Sequence, residues 1–331
     1  MTADNSRRGW LPIDLYFQPA DVGVRWMEFG SNCFNEPFFH MTIEKLKAPP
    51  LLAREWIGDL RSLIAAGSQL SPVTPNGIVF HVSRCGSTLL ANALRTAESA
   101  VVLSEARPIG SLLTPEVFRR SPFEYDEWQG ARRMLLDCLL SVYGNHSCDQ
   151  PKVIVKCSGN NMLHLNIVRS VWPDVPFLIL IRKPSDVMIS VLDRPAGWLD
   201  LRRNPAHAAK TFGWEGLSVE QMTASEYCAR VVGRYCEAVL PDLDNQCRVL
   251  DYDEIDESRI QQVAQFFHLD IPVGSNEFRQ VIHTYSKDPS QARTFEPDRE
   301  RKRKEATASI LAAAEQWADP HYYALRRLQA W

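Results

Sequence analysis

Long apolar runs are missing from this chain of 331 residues. A membrane-spanning helix needs about 20 consecutive apolar residues, whereas the longest clean run, VPFLILI at residues 175–181, has only the length of a strand. The opening residues, MTADNSRRGWLPID, also lack the apolar core of a secretory signal. We therefore expect a cytoplasmic protein with no membrane span.

The usual marks of a zinc protein and of a nucleic-acid-binding protein are absent as well. The eight cysteines stand singly, and no two of them form a C-x-x-C pair. This spacing disfavours both a zinc site and a disulfide framework, so most cysteines are expected to be small buried side chains. The formal net charge of −3 gives no sign of a protein that binds polyanions. We expect neither a metal site nor a nucleic-acid partner.

Five short β-branched segments alternate with helical patterns along the chain. The predicted strands are Ile78–Val82, Val101–Leu103, Val153–Val155, Phe177–Ile181 and Val249–Tyr252. The predicted helices are Thr88–Thr96, Asn161–Val171, Pro184–Leu192, Val219–Val239, Ser258–Phe267 and Glu300–Trp317. Continuous apolar strands separated by helices are typical of a parallel sheet that is covered on both faces. The sequence therefore predicts an α/β fold around a parallel sheet of about five strands.

Three regions of the chain differ in pattern. Residues 1–75 are richer in proline and aromatic residues and show weaker periodicity, which predicts an irregular N-terminal extension. Residues 76–290 hold the alternating strands and helices of the α/β core. Residues 291–331 are predicted to form a C-terminal helical segment that packs on this core.

The segment VFHVSRCGSTLL, residues 79–90, reads as a strand, a short loop and the start of a helix. When Gly86 is aligned with the second glycine of the P-loop pattern G-x-x-x-x-G-K-[ST], Ser87 stands where the lysine belongs. A glycine turn, two hydroxyls and a helix N-terminus remain, and together they suit an anion even without a lysine. Arg84 adds a fixed charge. The alternative is an ordinary β-to-α turn with a serine cap.

A second segment, FLILIRKPSDVMIS at residues 177–190, also points to an anion. In a P-loop kinase such a strand would end in an acidic residue that holds Mg²⁺, whereas this one ends in Arg182 and Lys183. Two cations at a strand tip indicate a second anion site, and Ser190 lies about two turns into the helix that follows. The alternative is a local ion pair between Arg182 and Asp186.

Together the two segments resemble the nucleotide motifs of sulfotransferases that use PAPS (3′-phosphoadenosine 5′-phosphosulfate). SRCGST resembles their 5′-phosphosulfate loop, and LILIRKPSDVMIS resembles their 3′-phosphate motif. The segment KVIVKCSGNNMLHLNIVRSVWPDVPF has the family's connecting pattern, and the resemblance covers residues 77–270. It implies a three-layer fold like that of P-loop NTPases, PAPS as cosubstrate, PAP (3′-phosphoadenosine 5′-phosphate) as product and a hydroxyl or amine acceptor, without a metal.

The resemblance also implies which residues bind the nucleotide. Contacts to the 5′-phosphosulfate would come from the loop residues Arg84, Cys85, Gly86, Ser87 and Thr88, although the Cys85 side chain is assigned no role. Contacts to the 3′-phosphate would come from Arg182 and Ser190, with Lys287 and Arg293 as the counterparts of a late basic loop whose usual glycines are missing here. Arginine at position 84 is similar to the tyrosylprotein and bacterial branches, whereas cytosolic members usually carry lysine.

A general base must remove the proton of the acceptor. Cytosolic members carry a Lys-Thr-His run where this chain has Lys156-Cys157-Ser158, so their histidine is absent. The segment VVLSEARPIGSLL, residues 101–113, resembles the part of tyrosylprotein sulfotransferases that carries a catalytic glutamate, which implies Glu105 as the base. Lys156 would stabilise the transferring sulfuryl group. Structural alternatives are a Glu105 side chain that pairs with Arg107 or caps the next helix, and a solvated strand end at Lys156.

Two rival functions remain open at this point. A divergent P-loop kinase would require Mg²⁺, and the missing lysine and acidic strand end count against it. A non-catalytic module that binds PAP is the other rival, because the histidine base is lost and fold analogy does not separate active from inactive members. His81, inside the first core strand, is interpreted as a satisfied structural histidine. The acceptor and the oligomeric state are left open.

Overall fold

The computed structural model describes residues 9–17, 22–119, 121–147, 151–284, 305–328 and 331. Eight strands in this part of the chain form two sheets. They are β1 (Trp10–Phe17), β2 (Val22–Glu28), β3 (Glu55–Asp59), β4 (Gly77–His81), β5 (Ala100–Ser104), β6 (Lys152–Lys156), β7 (Phe177–Ile181) and β8 (Cys247–Asp251). Over these ranges no helix combines the length and the apolar character that a bilayer crossing requires.

The larger sheet contains β4 to β8, paired in parallel in the order β5-β6-β4-β7-β8. Its three central strands are apolar almost throughout and are buried, because helices cover them. All five predicted core strands are present, most of them extended by one or two residues. The predicted fold class, an α/β fold with a five-stranded parallel sheet flanked by helices, is confirmed.

Helices connect and cover the strands. They are α1 (Phe39–Lys47), α2 (Leu60–Gly67), α3 (Ser87–Leu94), α4 (Arg107–Leu112), α5 (Pro115–Arg119), α6 (Trp128–Ser147), α7 (Leu165–Val171), α8 (Pro184–Asp193), α9 (Gly197–Asp200), α10 (Pro205–Phe212), α11 (Ala224–Val239), α12 (Glu257–Phe266), α13 (Asn276–His283), α14 (Ala308–Trp317) and α15 (Asp319–Arg326). Each predicted helix has a counterpart, but the predicted helix over residues 161–171 begins as a 3₁₀ turn at Gly159–His164. The sequence did not predict α6.

The expectation of an irregular N-terminal region is wrong for the described residues. Strands β1, β2 and β3 form an antiparallel sheet, and its buried side chains belong to the same apolar cluster as the α/β core. Pro12 hid this sheet, because proline disfavours strand interiors; the register shifts between Pro12 and Asp14, as at a β-bulge. The Tyr143 hydroxyl of α6 donates to the Pro12 carbonyl at 2.7 Å in the buried interior. The proposed boundary at residue 75 stays a prediction.

The two C-terminal helices pack against α11. A Cβ atom on Gly233 would lie 2.0 Å from the Trp317 carbonyl oxygen, so only glycine permits this approach. The Tyr322 hydroxyl donates to Asp251 at the end of β8. The start of the predicted helix Glu300–Trp317, with its basic run at 299–304, lies outside the described residues.

Candidate active site

The candidate site lies along one edge of the parallel sheet. Parallel strands present their carboxyl ends at the same edge, where ligands of open α/β sheets bind. Along the strand order, Glu105 follows β5, Lys156 ends β6, His81 ends β4 and Arg182 follows β7. Four chemically distinct side chains, far apart in sequence, therefore stand at neighbouring strand tips.

Glu105 and Lys156 form an ion pair at this edge. The Lys156 ammonium donates to Glu105 Oε1, and the Glu105 N–H donates to the Lys156 carbonyl at 2.7 Å. The Lys156 side chain is fully buried and lies over the Phe38 ring at 4.9 Å, whereas 30% of the Glu105 side chain is exposed. Lys156 is therefore not a solvated strand end, and Arg107 pairs with Asp14 at 3.6 Å instead of Glu105.

The environment keeps Glu105 ionised. Burial alone would raise the pKa of its carboxyl, but Lys156 and the nearby His81 outweigh burial and hold that pKa well below its ordinary value. Glu105 also adopts a positive φ of 57°, which is unusual for a residue with a side chain and is typical of functional sites. The result is a partly exposed carboxylate with its charge preserved.

The loop between β4 and α3 has the backbone of an anion cradle. Ser83, Arg84 and Gly86 have φ values of 69°, 53° and 78°, so three of four successive residues are left-handed. Successive turns of this kind form concavities lined by N–H groups, and the first N–H groups of α3 have no intrahelical acceptor. The Cys85 side chain is fully buried and burial raises the pKa of its thiol to about 11, so Cys85 offers the cradle only its backbone.

Gly86 is required by both conformation and packing. Its φ of 78° favours glycine, and a Cβ atom there would approach Ile255 Cδ1 and Tyr252 Cδ2 to 2.9 Å each. Ser87 and Thr88 follow as the first residues of α3 and are buried at its N-terminus. The glycine of the motif thus fixes the loop against the segment after β8.

Arg182 braces this loop from the neighbouring strand. Its Nη1 donates to the Arg84 carbonyl at 3.0 Å, its Nη2 lies 3.5 Å from Asp186 Oδ2, and its guanidinium stacks over the Tyr252 ring at 4.0 Å. The side chain is 6% exposed. Arg182 therefore has the local carboxylate partner of the structural alternative, but it also contacts the loop beside Gly86, as the two-anion-site interpretation requires.

Three further residues are predicted from the sequence to bind the nucleotide: Ser190, Lys287 and Arg293. Ser190 is half-buried in α8, and within the described residues its hydroxyl makes no hydrogen bond. Lys287 and Arg293 lie outside the described residues, so their assignment stays a prediction. The Arg84 guanidinium donates to the Arg194 carbonyl at 2.5 Å, just after α8.

Hydrogen bonds connect the segment after α8 to the loop between β4 and α3. Trp198 Nε1 donates to the Ser83 hydroxyl at 3.2 Å, and the Tyr227 hydroxyl donates to the Trp198 carbonyl at 3.1 Å. Together with the bond from Arg84 to Arg194, these contacts hold residues 194–200 above the loop.

A cavity of about 730 Å³ opens beside the ion pair. Glu105 and Lys156 lie in its wall, together with His40, His164 and His207. The 3₁₀ turn after β6 and the helices α4 and α10 supply most of the remaining surface. A cavity of this volume is in the range of small-molecule sites. Glu105 lies in its wall, whereas Arg84, Gly86 and Arg182 do not.

Sequence reasoning missed several residues of this site. From the sequence alone, His81 is interpreted as a structural histidine. The histidines of the cavity show no motif, because they come from three separate elements. His81 was identifiable only through the strand order, which places the ends of β4, β6 and β5 side by side.

Among the described residues, no three His, Cys, Asp or Glu side chains are placed to hold a metal ion.

Comparisons with known proteins add fold neighbours but no close relative. No family model and no curated protein sequence matches the chain. Similar solved structures include a sulfotransferase from Alicyclobacillus acidocaldarius (16% identity, 77% of this chain and 99% of that chain, TM-score 0.38). The sulfotransferase domain of the curacin biosynthetic pathway is also similar (15%, 74% and 98%, TM-score 0.45), as is that of the Synechococcus olefin synthase (13%, 74% and 95%, TM-score 0.42).

All three structures are named as sulfotransferases, the family that the sequence motifs resemble. At identities of 13 to 16% and TM-scores of 0.38 to 0.45, the likeness fixes neither a donor nor an acceptor for this chain. What the chain itself provides is an ionised carboxylate, a buried ammonium and an anion cradle at one sheet edge.

Proposed function

We propose that the protein is a PAPS-dependent sulfotransferase that modifies a hydroxyl of a small acceptor. The observation that carries the proposal is the Glu105–Lys156 pair, at neighbouring strand tips on the sheet edge that also bears the glycine loop. A base, a cation and a set of N–H donors are the groups that sulfuryl transfer needs. β7 is followed by Arg182, at the position where a P-loop kinase would carry the acidic residue that holds Mg²⁺, so this strand end suits a leaving phosphate better than an Mg²⁺-bound triphosphate.

Glu105 acts as the general base through its second carboxylate oxygen. The Lys156 ammonium and His81 Nε2 both lie beside Oε1, and the described residues give Oε2 no hydrogen bond. The acceptor proton therefore passes to Oε2, while the acceptor oxygen forms a bond to sulfur. The bond between sulfur and the 5′-phosphate oxygen breaks, and its electron pair leaves with PAP.

Lys156, Arg84 and the loop amides stabilise the charge that develops on the leaving phosphate. Lys156 is fully buried, and a fixed ammonium in such a site acts more strongly than it would in water. Arg84 is positioned by its bond to the Arg194 carbonyl, so little reorganisation is needed when the anion arrives. Arg182 orders the loop and provides charge beside it.

The cavity indicates the size and chemistry of the acceptor. A volume of about 730 Å³ accommodates a small molecule and lies within the range of about 300–1,000 Å³ for such sites. Its histidines favour a polar acceptor: burial, and then the charge of Arg132, lower the pKa of His164 to about 4, so His164 is a neutral hydrogen-bonding group. A small hydroxylated compound fits this surface.

Calorimetric titration with PAP tests the proposal. Wild-type protein is expected to bind PAP without added metal. Arg182→Ala is expected to weaken binding by more than tenfold, because a charge-assisted hydrogen bond is worth about 1.5–3 kcal/mol. Arg182→Lys, which keeps the charge, is expected to lose less. Failure of the folded wild type to bind PAP would end the proposal.

An exposed arginine on α6 provides the matched control. Arg133 pairs only at the surface with Asp137 at 3.7 Å, so Arg133→Ala should leave PAP affinity unchanged. Transfer of label from ATP with Mg²⁺ would favour the kinase alternative, and PAP binding without turnover on any acceptor would favour the non-catalytic module.

A further inference from the structure

His81 is a buried histidine that the proposed chemistry leaves unused. It ends β4, and its side chain is 5% exposed. The Ser83 N–H of the anion loop donates to His81 Nδ1 at 3.1 Å. On the other side of the ring, His81 Nε2 lies 3.5 Å from Glu105 Oε1. One imidazole thus stands between the loop that receives the nucleotide and the carboxylate that receives the proton.

The contact from Ser83 determines the tautomer of the ring. A backbone N–H only donates, so Nδ1 must carry a lone pair, and a neutral ring then carries its proton on Nε2. Burial, and then the charge of Lys156, lower the pKa of His81, while Glu105 opposes them; these are the charged groups that face it from the tips of β6 and β5. These surroundings favour the neutral form of the His81 ring, with its proton on Nε2.

The acceptors near the His81 ring are the Glu105 carboxylate, 3.5 Å from Nε2, and the backbone of Cys157. Apart from the Glu105 carboxylate at 3.5 Å, the described residues give this buried nitrogen no hydrogen bond. A buried donor without a partner is unfavourable, so a small movement that shortens the contact to Glu105 is favoured. Active-site hydrogen bonds commonly tighten in this way when ligands bind.

We propose that His81 is a positioning residue that holds Glu105 Oε1, and thereby leaves Oε2 to take the acceptor proton. This inference rests on the proposed role of Glu105 as the base. His81 does not take the proton itself, because Ser83 occupies the lone pair on Nδ1 and the ring proton occupies Nε2. The Ser83 N–H links this support to the loop, so the loop conformation that receives the nucleotide also orients the base.

The tautomer is measured first, on the wild-type full chain without ligand. In ¹⁵N-histidine NMR, the His81 signals are identified by their loss in His81→Gln. We expect a neutral ring at pH 7 with the proton on Nε2, and no titration while exposed histidines become charged. A proton on Nδ1, or a charged ring at pH 7, would overturn the inference whatever the activity of the protein.

Turnover measurements then distinguish a positioning role of His81 from a role in packing only. The probe is PAPS with the fastest acceptor from a panel of phenols, alcohols and sugars, followed by the release of PAP. His81→Leu removes the donor and is expected to lower kcat about tenfold, the scale of one hydrogen bond. Because His81→Leu removes one of the two donors to Glu105 Oε1, the acid limb of the pH profile of kcat should move to higher pH. PAP affinity should stay within about twofold of wild type.

His81→Gln provides the matched variant, because its amide N–H stands near the position of Nε2. It is expected to recover most of the kcat lost in His81→Leu and to restore the acid limb. Equal losses in both variants would show a packing role only, and wild-type kcat in His81→Leu would show no role; either result overturns the inference while the sulfotransferase proposal stands. If the wild type neither binds PAP nor consumes PAPS, the proposed function fails, and the catalytic role of His81 fails with it.

Discussion

At the scale of single residues, the site depends on one carboxylate that stays charged beside a buried ammonium. Glu105 has a partner for Oε1 and partial exposure, which together give an accessible carboxylate that keeps its charge. The sequence suggested this residue only through resemblance to a motif. The ion pair with Lys156 is what distinguishes it from the other glutamates near strand ends.

Replacing Glu105 by glutamine tests the base directly. Glu105→Gln keeps the shape of the side chain but removes its basicity, so kcat is expected to fall by about 10²–10⁴-fold. PAP affinity should change little, because the carboxylate receives the acceptor proton and does not bind the nucleotide. Glu116→Gln, an exposed change on α5, is the control and should keep full activity. Unchanged turnover in Glu105→Gln would show that another residue takes the proton.

The same pair makes stability depend on pH. The pKa of Glu105 is lower in the folded protein than its ordinary value of 4.5, so the unfolded state binds the proton more readily. Its contribution to stability is therefore complete above pH 4.5 and is lost as the pH falls further. Thermal unfolding of wild type and Glu105→Gln should differ most near neutral pH and converge below pH 4.5. A difference that grows on acidification would contradict the assignment.

Gly86 offers a second test at this scale. Gly86→Ala adds strain at a φ of 78° and places a methyl group 2.9 Å from both Ile255 and Tyr252. Gly274 has a similar φ of 81° but open space around it, so Gly274→Ala isolates the conformational cost of about 1–2 kcal/mol. Chemical denaturation should show a larger loss for Gly86→Ala, by about 1–3 kcal/mol. Equal losses would mean that the loop yields to the added methyl group.

At the scale of elements, the sheet was predictable and the connections were less so. β-branched runs such as Phe177–Ile181 identify buried parallel strands without further information. In helix α6 the buried residues run consecutively from Cys138 to Gly144, so no single amphipathic stripe marks the helix. β1 places Leu11, Ile13 and Leu15 at alternate positions, which is the signal of a half-buried strand, but Pro12 interrupts it.

The covering segment after α8 should influence nucleotide binding through Trp198. Trp198→Phe keeps an aromatic ring but removes the donor to Ser83, so PAP affinity is expected to fall about fivefold, the scale of one hydrogen bond. Trp172→Phe is the matched control, because its Nε1 donates to Asp137 at 3.0 Å, on α6. Calorimetry should show reduced affinity for the first variant only. Equal affinities would show that the segment does not order the loop.

At the scale of the whole molecule, two sheets share one apolar interior. Sequence patterns predicted the parallel sheet, but they did not reveal that β1 to β3 pack on the same core. This packing depends on contacts over long sequence distances, such as the bond from Tyr143 to Pro12, and a local pattern does not encode them. For the same reason, the meeting of His81, Glu105 and Lys156 became visible only from the strand order.

Tyr143 tests whether the two sheets unfold together. Tyr143→Phe leaves the Pro12 carbonyl without its buried donor and is expected to lower the unfolding free energy by about 1–3 kcal/mol. Tyr125 is 80% exposed, so Tyr125→Phe should have no measurable effect. Denaturation followed by tryptophan fluorescence and by circular dichroism should give one coincident transition for each protein. Separate transitions would show that the N-terminal sheet folds independently.

The most direct measurement follows ³⁵S from labelled PAPS during incubation with a panel of small hydroxyl acceptors in the presence of EDTA. The predicted result is one sulfated acceptor for each PAP formed, with the label transfer lost in Glu105→Gln. Label that stays on the nucleotide with every acceptor, or moves equally fast in Glu105→Gln, would contradict the assignment of this sheet edge as a sulfotransferase site.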